Sequence, residues 1–185
     1  IHPAVFLISS CIICAVVSVM TGSSWTTVAT IGLALLGIGR ALGFEDGWTA
    51  GAIISGAYFG DKMSPLSDTT ILASAVSGTP LFTHIRYMMI TTGPTIFITL
   101  VIFSLAGIWM GNNSATDTAI YIHTLENTFN ITPWLLIVPV ITGVLIYKKV
   151  PSLIVLFSST IMAVIMAVIY QHDILLQVAG LDKGA

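Results

Sequence analysis

The stretch GDKMSPLSDTT, Gly60 to Thr70, interrupts an apolar element near its middle and limits what this chain can fold into. On either side lie the apolar stretches Trp48–Phe59 and Ile71–Val76. Each is too short to cross the roughly 30 Å hydrocarbon core of a bilayer, which takes about 20 helical residues. Joined through the interruption they reach membrane length. Pro65 removes a backbone donor and disfavours helix at Ser64, so the interruption has a mechanical cause. Only 8% of the 185 residues are charged and 56% are hydrophobic, with a mean hydropathy of +0.99, which is the composition of a membrane protein. Three of those scarce charges, Asp61, Lys62 and Asp68, nevertheless fall in this one stretch. In lipid each costs about 3 kcal/mol on insertion scales unless it is paired or turned to a water-filled cavity.

Irregular backbone at membrane depth is tolerated only where protein or a cavity surrounds it, and broken helices of this kind build ion sites in secondary transporters. The residue types suit a hard cation, since Asp61, Asp68, Ser64, Ser67, Thr69 and Thr70 offer carboxylate and hydroxyl oxygen. Asp68, set among three hydroxyls, reads as the central carboxylate. Lys62 reads as a charge-compensating neighbour that leaves Asp61 in a supporting role, or as a snorkelling residue. The bland alternative is a loop outside the membrane joining two short helices. A second hydroxyl-rich stretch, TGSSWTT (Thr21–Thr27), divides the apolar runs Pro3–Met20 and Val28–Phe44. Those runs are two crossing helices or two arms of a re-entrant hairpin with TGSSWTT at its tip. Its oxygens, on Ser23, Ser24, Thr26 and Thr27, are further candidate ligands, although such a cluster is also an ordinary helix cap.

Elsewhere the pattern is plainer. Cys11 and Cys14 form a C-x-x-C inside an apolar run and read as packing residues. Glycines at 39, 43, 47 and 51, and again at 56 and 60, recur at the spacing that lets membrane helices approach closely, or simply flank the turn near Glu45. Thr79–Met88 reads as an amphipathic surface connection, with His84 and Arg86 as interfacial anchors. Met89–Met110 is a span in which Gly93-Pro94 invites a kink. Pro133–Tyr147 and Val150–Tyr170 are two further spans joined at Lys148-Lys149, a doublet that marks a cytoplasmic loop. Arg40 with Glu45 and Asp46 is a charge cluster at a helix end. The expected organisation is an ion-binding region over 1–110, a polar interfacial connection over 111–132 that includes sequons at Asn112 and Asn130, and transmembrane helices over 133–185. Without an initiator Met, and ending on LDKGA, the chain reads as a piece of a longer protein.

SGAYFGDKMSPLSDTT (Ser55–Thr70), preceded by TGSSWTTVATIGLALLGIG (Thr21–Gly39), closely resembles the NhaC family of bacterial sodium/proton antiporters. The resemblance runs from about Thr21 to Gly107. It implies an all-α polytopic membrane protein, part of an inverted-repeat secondary transporter with a hairpin and a discontinuous helix in each half. The family's acidic broken-helix signature falls on Asp61, Ser64, Pro65, Ser67, Asp68, Thr69 and Thr70, and its tip on Gly22 to Thr27. One departure is Ile71, where an Asn commonly follows the double Thr. The other is that the matching second-half elements are absent from these residues.

The expected function is therefore exchange of sodium for protons across the bacterial cytoplasmic membrane, with Asp61 and Asp68 shared between the two cations. No cofactor or enzymatic step is called for, since sodium and protons are cargo. The expected partners are the lipid bilayer and the missing half of the same chain; the net charge of −2 argues against nucleic acid. Coupling to malate and lactate on the same fold is the nearest alternative, and Lys62 is then the cation for an organic acid. An intramembrane aspartyl protease, suggested by Phe59-Gly60-Asp61, is a distant one, because both carboxylates come from one interrupted element. A structural fragment without transport of its own is the last.

Overall fold

After its opening proline the first apolar run contains neither Gly nor Pro, and it folds as one helix, α1 (Pro3–Thr21). The computed structural model describes residues 3–110 and 132–178. All the regular elements of these residues are helical, as the sequence predicts. They fall into two compact units, residues 1–117 and 118–185. The connection expected over 111–132 lies outside the described residues apart from Thr132, as do both sequons.

In the first unit the chain reverses at Gly22-Ser23 and returns through α2 (Ser24–Thr27), a π-helical stretch (Val28–Gly32) and α3 (Leu33–Ala41). Helical backbone angles at Val28 and Leu33 make this return arm one unbroken rod. After the turn at Gly43 come α4 (Asp46–Met63), a four-residue break and α5 (Asp68–Val76). α6 (Leu81–Met110) then runs back as a single helix of 30 residues. The surface connection expected over Thr79–Met88 is thus the first turns of this helix. Nothing in LFTHIRYM stops a helix, and Pro94, well inside it, removes only one backbone hydrogen bond.

α1 packs along α4 and α6. Phe6 stacks on Phe44 at 5.4 Å between ring centroids near the open end of the hairpin, whereas Gly22 at its tip meets Leu66 in the break. α4 is 18 residues long, about 27 Å, and α6 about 45 Å. The hairpin arms therefore stop part-way along α6, at the level of the break, while α5 continues beyond them against α6.

Glycine sets the spacing of the helices. A Cβ on Gly56 would strike the Cys11 carbonyl, and one on Gly60 the Ala15 carbonyl, so α1 and α4 cross with their backbones in contact. A Cβ on Gly39 would lie 2.6 Å from Thr49 Oγ1, and one on Gly32 2.8 Å from Ile53 Cγ2, which seats the return arm just as closely. Gly47, which belongs to the same sequence pattern, has nothing within 4 Å. The core that results includes Phe6, Leu7, Leu35, Phe44 and Ile53, with Cys11 and Cys14 free and buried among them.

The second unit holds a 3₁₀ turn (Pro133–Leu136), α7 (Ile137–Tyr147), α8 (Ser152–Tyr170) and α9 (His172–Val178). Thr142 donates to the Val138 carbonyl and shares a 2.8 Å hydrogen bond with Ser159, which ties α7 to α8. Lys149 takes a left-handed conformation (φ 57°) between them. α6 and α8 are long and apolar enough to cross a membrane. Residues 133–147 cover only about 24 Å, less than the roughly 30 Å core, so the full span expected there is not met by the helix as described.

Gly56→Leu should lower the thermal stability of the full-length protein in detergent by about 2 kcal/mol or more, because the obstructing atoms are backbone and cannot rotate away. Gly47→Ala, with open space around it, should change it by less than about 1 kcal/mol. Equal effects of the two would show that the α1–α4 crossing is not a backbone contact.

Candidate ion site at the helix break

Pro65 ends α4 at Met63, and Ser64–Ser67 form the break. All four of these residues, Ser64, Pro65, Leu66 and Ser67, are buried. Asp61 and Asp68 do not lie in the break but flank it, Asp61 in the last turn of α4 and Asp68 at the head of α5.

The freed backbone groups are satisfied locally. Ser64 N–H donates to the Asp61 carbonyl at 3.1 Å, and Thr70 Oγ1 donates to the Lys62 carbonyl at 3.2 Å. Leu66 N–H donates to Ser64 Oγ at 3.1 Å. Ser64 Oγ in turn donates to the Val19 carbonyl of α1 at 2.6 Å. About two turns earlier along α4, the Ala57 carbonyl accepts from Ser18 Oγ, also at 2.6 Å. Val19 and Ser18 were not singled out from the sequence. The available signal is a Ser four residues before the tip glycine in a largely apolar helix.

Most of the candidate hydroxyls are likewise committed. Ser23 Oγ caps α2, accepting from the N–H and the hydroxyl of Thr26 at 3.2 and 3.0 Å. Thr27 Oγ1 donates to the Ser23 carbonyl at 2.9 Å, and the hydroxyls of Ser67 and Thr69 bond each other at 2.9 Å. Ser24 alone among the tip hydroxyls reaches across, donating to Asp61 Oδ2 at 3.1 Å.

The two aspartates are in different situations. Asp61 is half-buried, and its second oxygen, Oδ1, is fully buried without a hydrogen-bond partner. A buried carboxylate oxygen in that state is costly unless something else occupies its lone pairs. Asp68 is exposed and accepts from the N–H of Thr69 at 2.8 Å, where its charge also complements the helix N-terminus. Lys62, the expected counter-ion, is exposed and forms no ion pair among the described residues. The hairpin tip thus lies against Asp61 rather than Asp68, and Lys62 does not pair with Asp61 among the described residues. Spacing along the chain cannot show which carboxylate the hairpin tip reaches.

A half-buried aspartate with one oxygen held and one unpartnered, where a hairpin tip meets a broken helix, resembles the broken-helix ion sites of secondary transporters. The sequence matches the Na+/H+ antiporter family over residues 56–181. The chain belongs to that family. It is 43% identical over 173 residues to the malate-2H+/Na+-lactate antiporter of Bacillus subtilis, a match that covers 92% of this chain and 37% of the relative. It is 40% identical to the Na+/H+ antiporter NhaC of Alkalihalophilus pseudofirmus, over 94% of this chain and 37% of the relative. A shorter match, 48% over 106 residues, is to the arginine/ornithine antiporter ArcD of Halobacterium salinarum, covering 57% of this chain and 22% of the relative. The chain therefore spans little more than a third of the length of the first two. No solved structure matches it.

The seating of the tip can be tested through its turn glycine. Gly22 has φ +68°, and a Cβ there would lie 2.6 Å from the Leu66 carbonyl carbon; Gly78 has φ +65° with nothing within 4 Å. Gly78→Ala should cost about 1–2 kcal/mol from backbone strain alone. Gly22→Ala should cost more and should also impair ion exchange by the full-length protein, because it displaces the tip from the break. If both variants are destabilised equally and both transport normally, the tip is not held against Leu66.

Proposed function

We propose that this chain supplies part of the ion path of a secondary antiporter that exchanges sodium for protons across the bacterial cytoplasmic membrane. The observation that carries the reading is the vacant buried oxygen of Asp61 beside Ser24. An ionised carboxylate attracts a hard cation, and a proton removes the charge that does so. Sodium and a proton therefore exclude each other at this oxygen, which suffices for exchange once the site opens alternately to the two sides. Ser24 holds Oδ2 and so fixes the direction in which Oδ1 points. Asp68, Thr69 and Thr26, all exposed, contribute through segments of the protein outside this chain.

A second reading changes the cargo. Exposed Lys62, without an ion pair among the described residues, offers a cation to an organic anion, and one relative bears the name of a malate/lactate antiporter. It shares the sodium and proton site and differs in a single measurable respect. Proton movement that requires malate or lactate in vesicles, and that Lys62→Gln abolishes, identifies this second cargo. Sodium-dependent movement without either acid identifies the first.

In everted vesicles containing the full-length protein, Asp61→Asn should reduce sodium-dependent proton movement to background while keeping the shape of the site. Asp68→Asn should lower it by no more than about fivefold, as expected for an exposed charge. Normal exchange by a well-expressed Asp61→Asn protein would remove Asp61 from the ion path.

A further inference from the structure

An open groove of about 880 Å³ lies between the start of α4 and the last turns of α6, at the far end of α4 from the break. Ile102, Leu105 and Ile108 line its apolar wall, and Glu45, Trp48 and Trp109 stand around it. The ion site described above does not use it.

Three observations define its occupant. The first is depth. Trp109 ends the apolar span Leu81–Trp109, and the charged side chain of Glu45 stands on the same groove, so it opens at the membrane–water boundary, where tryptophan rings prefer to sit. The second is charge. Arg40 is committed to Asp46 through two hydrogen bonds of 2.7 Å, which hold the Asp46 carboxyl below the usual carboxylate range. Glu45 is exposed, its side chain does not cap α4, and it forms no ion pair among the described residues. The third is aromatic surface. Two exposed indoles flank the same space as that free carboxylate, a combination that attracts ammonium groups by cation–π and ionic interaction.

A cation carried on an apolar tail at the membrane boundary is a lipid amine. We propose that this groove binds an aminophospholipid of the bilayer, with its ammonium between Glu45 and the two tryptophans and an acyl chain along Ile102, Leu105 and Ile108.

The test uses the full-length protein in nanodiscs doped with acyl-brominated phosphatidylethanolamine or, at equal density, acyl-brominated phosphatidylglycerol. The difference in fluorescence quenching between the parent and Trp109→Phe isolates the signal of this ring. The ethanolamine lipid should be preferred at Trp109 by about fivefold, the size of a solvent-exposed ammonium–indole contact. Glu45→Gln should erase the preference, and Glu45→Asp, which keeps the charge, should retain it. Sodium/proton exchange measured on the same preparations reports that each variant is folded. Equal quenching by the two headgroups, or a preference that survives Glu45→Gln, overturns the proposal. So does a Trp109 that neither lipid quenches, since that shows another segment of the polypeptide filling the groove.

Discussion

A helix broken where it is buried frees backbone groups that water cannot reach, and the first unit is organised around meeting that demand. The decisive contact is the crossing of α1 and α4 at Gly56 and Gly60, where neither side chain intervenes between the backbones. Only at that separation can Ser18 reach the Ala57 carbonyl and Ser64 reach the Val19 carbonyl. Interhelical hydrogen bonds of this kind contribute about 0.6 kcal/mol each on average in membranes, so their main effect is to fix register. With the register fixed, Gly22 meets Leu66 and the tip is seated on the break.

Meeting the demand engages most of the polar groups. Thr70 closes the carbonyl end of α4, Ser64 bridges α1 and the break, and Ser23 caps α2. Their hydrogen bonds hold the scaffold together in this arrangement. What distinguishes Asp61 is therefore not its residue type, which Asp68 shares, but its being left with a buried oxygen that the scaffold does not use. In a low-dielectric surrounding such an oxygen binds a cation more strongly than a solvated one does, for the same reason that leaving it empty is costly.

The chain's one-dimensional features carried much of this. Pro65 located the break, the scarcity of charge identified the membrane, and TGSSWTT marked the reversal between two arms. The glycine pattern was readable as a packing signal, but not which members pack: Gly56 and Gly60 do, whereas Gly47 faces open space. Hydroxyl-rich sequence had two readings, cap and ligand, and Ser23 is the one while Ser24 meets the carboxylate. That distinction depends on helical phase around a turn of one or two residues, which sequence spacing leaves undetermined. The same limit explains Lys62, adjacent to Asp61 in sequence but, on a helix, pointing about 100° away from it. The extent of α6 is not legible for another reason: the polar patch in LFTHIRYM resembles a boundary, although no residue after Pro80 in it stops a helix.

Close packing also constrains how an exchanging site can move. The hairpin and α4 touch backbone to backbone at two glycines, with Gly32 and Gly39 sealing the second arm, and contacts this tight resist sliding because every shift brings a clash. The Ser24–Asp61 link spans that same interface, so it moves with the hairpin and α4 as one body. On the proposed function, opening the site to one side and then the other cannot come from parting the tip and the carboxylate, which would destroy the site with each cycle. It must come from motion of this body against other parts of the protein. The exposed faces of α5 and the tip, with Leu72, Val76 and Trp25 uncovered, are the surfaces across which such motion would occur.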